Sequence, residues 1–124
     1  MIKLVYCLRR LPGLSREEFQ HYWRETHGPL VQERAAVLGI RRYIQVHTLD
    51  SPLNEAMRAS RGSDPDIFDG VAELWWESPE AFSDGASTAE GRQAARELYE
   101  DEKRFIDFSR SLACIAEEHP FVGD

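Results

Sequence analysis

Apolar and polar positions alternate along four segments of the chain and recur at helical spacing between them. The alternating segments are rich in β-branched and aromatic residues, which favour extended structure. They are Ile2 to Arg9, Ile40 to Leu49, Ile67 to Glu77 and Ser111 to Glu117. These four segments are predicted to be strands, and the stretches between them predict helices.

The first helix has the most complete start signal in the sequence. Ser15 is its predicted N-cap, and Glu18, three residues later, completes a capping box. Leu14 precedes the cap and is placed to pack against Phe19 as a hydrophobic staple. The helix is therefore expected to begin at this cap.

A bulky face on this helix ends in a Gly-Pro pair. The residues at helical spacing on that face are Phe19, Tyr22, Trp23, Thr26 and Leu30. In a straight helix the ring of Pro29 clashes with the carbonyl of Glu25, which predicts a break or kink at His27-Gly28. The helix then resumes at Pro29 and is expected to run to Leu38 and end at Gly39.

The second half of the chain predicts two more helices. A short one starts at Ser78-Pro79-Glu80 and is expected to stop at Asp84-Gly85. Ser87 with Glu90 resembles a second capping box, which opens a longer helix to about Lys103.

The longest connection runs from Asp50 to Asp66 and contains several turn-forming dipeptides. The stretch from Leu53 to Arg61 within it has the composition for one or two helical turns. So long a connection in a small domain is typically functional or disordered, and residues 51–66 are a candidate lid over a pocket.

The order of elements is β-α-β-β-α-β, the ferredoxin-like pattern of the α+β class. It predicts a four-stranded antiparallel sheet with the helices on one face, in a single domain over residues 1–124. Both faces of the strands carry apolar or aromatic residues, among them Tyr43, Leu74 and Trp75. We therefore expect a homodimer in which a second copy covers the open face of the sheet.

Composition narrows the possible partners and compartment. A net charge of −7 argues against nucleic acid and anionic membranes, and no apolar run approaches the ~20 residues that span a bilayer. The N-terminus is predicted to be a strand and has no signal-peptide core, which predicts a cytoplasmic protein.

The two cysteines, Cys7 and Cys114, lie in apolar strand-like runs and are expected to be reduced, buried thiols. The acidic run from Glu97 to Glu102 is interpreted as a solvated helical face.

His27 is the first candidate for catalysis. Histidine titrates near neutral pH, so a ring facing a pocket from the helix break acts as a general acid or base. The alternative is a histidine that bonds the last free carbonyls at a helix C-terminus.

A second group of candidates lies on one face of the predicted second strand. Tyr43, Gln45 and His47 share that face, where Tyr43 and His47 are placed to polarise a carbonyl and shuttle its proton. The alternative places the same face in the dimer interface, where tyrosine and histidine are common.

Four further residues are candidates for substrate binding. Tyr22 and Tyr6 have hydroxyls to present to a ligand, and Trp76 offers an aromatic wall. Glu73 is either a buried base with a raised pKa or a surface carboxylate.

The sequence lacks the motifs of cofactor and metal sites. It contains no phosphate-binding glycine loop, no nucleophile elbow, no nicotinamide or flavin fingerprint, and no Cys/His pairs at zinc-binding spacing. The expectation is therefore a protein that uses no cofactor and no metal.

Several segments together resemble the EthD-domain family of the dimeric α+β barrel superfamily. They are Phe19-x-x-Tyr22-Trp23-x-x-x-His27-Gly28-Pro29-Leu30, Trp75 to Phe82, Asp101-Glu102-x-x-Phe105-Ile106-Asp107, and Glu117-Glu118-His119. The resemblance implies a ferredoxin-like protomer, a barrel-forming dimer and a pocket between sheet and helices. Relatives in that family include cofactor-free dehydratases, decarboxylases and cyclases that act on aromatic or polyketide-like compounds.

The leading hypothesis is a cofactor-free enzyme that uses proton transfer on a small, hydrophobic, carbonyl-bearing compound, by dehydration, decarboxylation, cyclisation or isomerisation. Two alternatives remain open. One is a noncatalytic accessory protein of an oxidative degradation pathway, and the other is a cofactor-independent monooxygenase.

Overall fold

A computed structural model describes residues 1–123 of the chain. Its strands are β1 (Ile2–Leu8), β2 (Arg42–His47), β3 (Gly70–Trp76) and β4 (Leu112–Ala116). Its α-helices are α1 (Arg16–Tyr22), α2 (Gly28–Leu38), α3 (Pro52–Arg61), α4 (Pro79–Ser87) and α5 (Ala89–Glu102). A π-helical segment, Trp23–His27, joins α1 to α2, and a 3₁₀ turn, Phe108–Arg110, precedes β4.

The four strands form one sheet in the order β2-β3-β1-β4, and all neighbouring strands are antiparallel. The predicted ferredoxin-like α+β fold is confirmed. Each strand is shorter than predicted, and in β2 and β3 apolar residues at the predicted starts belong to the connections: Ile40 and Ile67 both lie outside the ladders.

The sheet has one face that packs against helices and one face that does not. Leu4, opposite Leu74 in the register, belongs to the helix-facing side together with Tyr6 and Ala72. The helices complete this core with Phe19, Trp23, Val31, Leu38, Ala94 and Leu98. Residues of opposite parity, such as Val5, Glu73 and Trp75, lie on the other side, which is called the open face below.

The predicted start of the first helix is confirmed. Of the predicted break or kink at His27-Gly28, the break is wrong, because the chain stays helical there through a π segment. The Ser15 hydroxyl accepts from the Glu18 amide at 3.0 Å, and the Glu18 carboxylate accepts from the Ser15 amide at 2.9 Å. Gly28 remains helical (φ −55°, ψ −51°), and its N–H donates to the carbonyl of Trp23 in a π turn. The wider turn accommodates Pro29 in the first turn of α2, where a proline needs no N–H.

The later helices also differ from prediction. The short helix α4 continues through Asp84-Gly85 to Ser87, and the N-cap of α5 is Thr88, whose hydroxyl accepts from the Gly91 amide at 2.8 Å. Gly85 does not stop the helix. A Cβ at that position would clash with the carbonyl of Leu38, so the glycine lets α4 approach the end of α2 closely.

The connection between β2 and β3 contains the exposed helix α3, which begins after the N-cap Ser51. Helical turns from Leu53 to Arg61 are thus confirmed. The prediction that both cysteines are buried is wrong for Cys114, which is exposed on β4, whereas Cys7 is partly buried. Among residues 1–123, no helix is both long and apolar enough to cross a membrane.

Asp69, immediately before β3, ties the ends of three elements together. Its carboxylate is 4% exposed and accepts from the amide of Arg10 at 2.8 Å, the guanidinium of Arg10 at 2.5 Å and the guanidinium of Arg16 at 3.0 Å. These bonds join the end of β1 to the start of α1. Asp66, three residues earlier, pairs with Arg9 and Arg110 but is 59% exposed.

Asp69→Ala is expected to lower the free energy of unfolding by about 3 kcal/mol, because it removes the buried carboxylate that accepts from one amide and two guanidinium groups. Asp66→Ala is the matched control and should cost less than about 1 kcal/mol, since solvent screens its ion pairs. Urea denaturation followed by circular dichroism measures both. Equal losses in the two variants would contradict the anchoring role of Asp69.

Candidate active site

A cavity of about 280 Å³ lies between the helix-facing side of the sheet and the helices. Its wall is mainly apolar and includes Leu4, Val31, Leu74, Phe82, Leu98 and Ile106. Four side chains add titratable groups to this wall: Tyr6, His27, Tyr43 and Glu102. Trp76 also lines the cavity, but its indole N–H is already bonded to the carbonyl of Leu38 at 2.9 Å. An apolar cavity with a few polar groups is typical of a small-molecule site.

His27 is held by a carboxylate behind it. Its Nδ1 lies 2.8 Å from Oδ2 of Asp101 near the end of α5, and the imidazole is 5% exposed. The carboxylate favours the tautomer with hydrogen on Nδ1, which leaves Nε2 as the basic nitrogen. Burial lowers the pKa of His27, and the interaction with Asp101 opposes that decrease. His27 is therefore neutral at physiological pH and able to accept a proton.

The π segment explains why His27 faces inward. Phe19, Trp23, His27 and Val31 are all buried and follow one another at intervals of four residues. That spacing is wider than the 3.6 residues of an α-helix and fits a stretch that contains a π turn. Thr26, which α-helical spacing assigns to the buried face, is exposed instead.

Tyr22 does not line this cavity. Its hydroxyl donates to Oδ1 of Asp101 at 2.5 Å. Asp101 thus receives Tyr22 on one oxygen and His27 on the other, which fixes the orientation of the carboxylate. Tyr22 therefore acts on the candidate base His27 indirectly, by orienting the carboxylate of Asp101 that bonds to it.

Tyr43 reaches the cavity with its hydroxyl oriented by the neighbouring side chain. The Gln45 amide donates to the Tyr43 oxygen at 2.8 Å and to the Trp23 carbonyl at 2.9 Å. Because the Tyr43 oxygen accepts this bond, its own O–H is directed elsewhere. Burial raises the pKa of Tyr43 to about 12, so it stays protonated and acts as a donor.

His47 and Glu73 do not reach the cavity. The His47 ring stacks on Trp23 at a centroid distance of 4.5 Å, and its Nε2 lies 2.8 Å from the Gln45 carbonyl oxygen. His47 is thus separated from the cavity by the indole and bonds to the amide that orients Tyr43. Glu73 lies on the open face, 3.5 Å from Lys3, because its parity on β3 is opposite to that of Trp76.

Residues 51–66 do not contribute to the cavity lining either. The candidate lid therefore does not line this cavity. Helix α3 packs near Arg16 and Ile67, where it borders a separate surface depression.

Sequence reasoning missed Asp101 and Glu102, which it assigned to a solvated helical face. The buried residues of α5 are Gly91, Ala94 and Leu98. Continuing that stripe by three and four positions reaches Asp101 and Glu102, so the periodicity of α5 contained the signal. The high acidic content of the segment obscured it.

Tyr6 and Glu102 interact at the cavity wall. Burial is the main reason that the pKa of Glu102 is raised to about 7, and it also raises the pKa of Tyr6. Among residues 1–123, no group of three or more His, Cys, Asp or Glu side chains is arranged to hold a metal ion.

Asp101→Asn is expected to lower the pKa of His27 further, because it removes the negative charge that favours the imidazolium. NMR titration of the His27 ring measures this. Glu100→Gln is the control, since Glu100 is exposed and pairs with Lys103, and it should leave the pKa of His27 unchanged. A pKa of His27 that stays constant or rises in Asp101→Asn would refute the pairing.

Comparison with known proteins gives one curated relative and several similar structures. Over 110 residues the chain is 24% identical to the decarboxylase AgnL1 of Paecilomyces divaricatus, and the match covers 87% of this chain and 72% of that protein. The crystal structure of an EthD family protein from Bacillus halodurans superposes with a TM-score of 0.62 at 21% identity, covering 96% of this chain and 99% of that one.

A further similar structure is that of a mutant of SnoaB, a cofactor-independent oxygenase from Streptomyces nogalater. It superposes with a TM-score of 0.51 at 14% identity and covers 99% of this chain and 97% of that one. At such identities the structural similarity establishes the fold.

The family model of the EthD domain matches residues 11–109. This range contains α1, the π segment with His27, β2, β3 and all of α5. The chain therefore belongs to the EthD-domain family.

Proposed function

We propose that the protein is a cofactor-free enzyme that catalyses proton transfer on a small, hydrophobic, carbonyl-bearing compound. The observation that carries this proposal is the buried His27, bonded to Asp101 and exposed to an apolar cavity that also holds the Tyr43 hydroxyl. Proton transfer on a carbonyl compound requires a base that accepts the proton and a hydrogen-bond donor that stabilises the charge on the carbonyl oxygen, and this cavity holds both.

In this proposal His27 is the general base and Tyr43 polarises the carbonyl. The neutral Nε2 of His27 accepts a proton from the substrate, and Asp101 stabilises the imidazolium that forms. The Tyr43 O–H donates to the carbonyl oxygen as negative charge develops there. Gln45 and His47 keep the Tyr43 hydroxyl oriented and have no direct contact with the substrate.

Decarboxylation is the reaction that we favour among the four considered from the sequence, because the curated relative is named as a decarboxylase. The wall of leucine, phenylalanine and tryptophan side chains favours an aromatic or polyketide-like substrate, and the volume of about 280 Å³ fits one of modest size. Tyr6 and Trp76 contact the substrate in this proposal.

A cofactor-independent oxygenase is the second candidate, favoured by the similarity to SnoaB. An accessory binding protein is favoured less, because such a protein needs no oriented histidine and tyrosine in its cavity. The two enzyme reactions differ in what they release and consume: a decarboxylase releases CO₂, whereas an oxygenase consumes O₂.

His27→Gln is expected to lower the turnover by at least about 100-fold, because glutamine cannot accept the proton. The measurement uses a panel of mono- to tricyclic hydroxyaryl and β-keto carboxylic acids, with CO₂ release and O₂ consumption followed in parallel. Tyr43→Phe should lower the turnover by about 10-fold or more, since one transition-state donor is lost.

His21→Gln is the matched control, because His21 lies in α1, directly before the π segment that holds His27, but is exposed to solvent. It should retain wild-type turnover. Unchanged turnover in His27→Gln, or no CO₂ release from any compound of the panel, would refute the proposed decarboxylase. Consumption of O₂ without CO₂ release would favour the oxygenase.

We also propose that two copies associate through the open face of the sheet. This face carries apolar side chains that the chain itself leaves exposed: Val46 is 44% exposed and Leu112 is 64% exposed. Trp75 is an exception, because Lys3, Arg42 and Glu118 of the same chain cover it. An apolar sheet face of this kind is typical of an interface between identical subunits.

The protein is expected to be a dimer at micromolar concentration in sedimentation velocity. Val46→Glu should weaken association by at least about 10-fold, because it buries an unpaired charge in the interface. Val37→Glu, which alters an exposed valine on α2, should leave the dimer intact. A monomeric wild-type protein would refute this arrangement.

A further inference from the structure

We propose that Glu102 is a second catalytic residue, the general acid that returns a proton to the substrate after His27 has removed one. This inference rests on the proposed function, since it assigns the second proton transfer in the same cavity.

The position of Glu102 distinguishes it from the other acids of α5. It is the last residue of the helix, and its side chain lines the cavity. Asp101, one residue earlier, has both carboxylate oxygens engaged by Tyr22 and His27. Across residues 1–123, Glu102 has no basic side chain within ion-pair distance. Two consecutive carboxyl groups therefore have different surroundings. Asp101 bonds to His27, and Glu102 faces the cavity.

Most influences on Glu102 favour its protonated form. Burial against the apolar wall is the largest, since it disfavours the carboxylate, and Asp101 adds a negative charge from the same helix. Tyr43 from β2 and His27 from the π segment are neutral, whereas the hydrogen bond from Tyr6 on β1 favours the carboxylate and opposes the shift. With its pKa raised to about 7, Glu102 exchanges a proton readily near neutral pH.

His27 and Glu102 thus form a base and an acid, and the same cavity keeps each of them in the protonation state that its role requires. Burial lowers the pKa of His27, so the imidazole is free to accept a proton. Burial raises the pKa of Glu102, so the carboxyl group retains a proton to donate. Both groups are in the required form between the pKa of His27 and about pH 7.

The pair closes the proton balance of a decarboxylation. The substrate carboxyl group enters the apolar cavity in its neutral form, because burial disfavours the carboxylate. His27 accepts its proton, the C–C bond breaks, and CO₂ leaves. The electron pair of that bond moves into the carbonyl group held by Tyr43. The O–H bond of Glu102 then breaks as a new C–H bond forms on the substrate. Transfer of the proton from the His27 imidazolium to the Glu102 carboxylate, directly or through water, restores both residues, so no net proton is consumed.

The test is the pH dependence of kcat, which reports groups in the substrate complex, measured from below the lowered pKa of His27 to about pH 9. The wild type should show a bell-shaped profile. Its acid limb reports protonation of His27, and its alkaline limb reports ionisation of Glu102 near pH 7. The assay uses whichever carboxylic acid of the panel the wild type decarboxylates.

Glu102→Gln should lower kcat by at least about 100-fold and abolish the alkaline limb, because glutamine has no proton to lose in this range. Glu102→Asp should recover part of the rate and keep a bell-shaped profile. Tyr6→Phe should move the alkaline limb to higher pH, since the Tyr6 hydroxyl stabilises the Glu102 carboxylate. Glu100→Gln, on the exposed face of the same helix, should behave as wild type.

A normal rate and an intact alkaline limb in Glu102→Gln, with His27→Gln inactive, would overturn the role of Glu102 and leave the proposed function standing. Loss of the His27 effect as well would overturn both. If Glu102→Gln does not fold, the carboxyl carbon resonances of the wild type, labelled with ¹³C-glutamate, provide the test. A Glu102 carboxyl group that is fully ionised at about pH 6 would refute the proposal.

Discussion

The hydrogen bond between His27 and Asp101 is the interaction on which the candidate site depends. It links the segment between α1 and α2 to the last turn of α5, two helical parts that lie on the same face of the sheet. The side chains that lie around it, Phe105 and Tyr22, are themselves packed together. The bond sets the tautomer of the imidazole and its orientation in the cavity. A loss of Asp101 therefore affects both the packing of two helices and the chemistry of the base.

The π turn is the backbone feature that makes this bond possible. In a regular α-helix, the buried stripe that begins at Phe19 and Trp23 continues at Thr26, and His27 is rotated toward the helix flank. The additional residue in the π turn brings His27 into the stripe and directs Thr26 to solvent. Such turns are frequent at functional sites because they change the direction of a single side chain without ending the helix.

Much of the fold follows from local signals in the sequence. The capping box of Ser15 and Glu18, the β-branched strands and the order of elements all depend on residues close in the chain, and they predict the observed sheet. The alternation along β2 also predicted that Tyr43 and His47 share a face. Alternation identifies the face of the sheet on which a side chain lies, but it does not tell whether that side chain reaches the cavity. The indole of Trp23 lies between His47 and the cavity.

The parts of the site that sequence reasoning missed depend on contacts between distant segments. Asp101 is separated from His27 by 74 residues, so the periodicity of α5 places Asp101 on the buried side of its helix but does not identify His27 as its partner.

The end of α5 shows how the same fold gives two adjacent acids different chemistry. Asp101 receives two hydrogen bonds, which compensate the carboxylate for the loss of water. Glu102 receives only the weaker support of the Tyr6 hydroxyl and lies against leucine and isoleucine side chains of the cavity wall. The difference arises from the number of donors that the tertiary structure provides, because both residues belong to the same turn of the same helix. A carboxyl group held away from water is stable only if it is paired or protonated, and the end of α5 carries Asp101, which is paired, beside Glu102, whose pKa burial raises to about 7. The lowered pKa of His27 and the raised pKa of Glu102 therefore have the same physical cause, the exclusion of water by the packing of α5 and the π segment against the sheet.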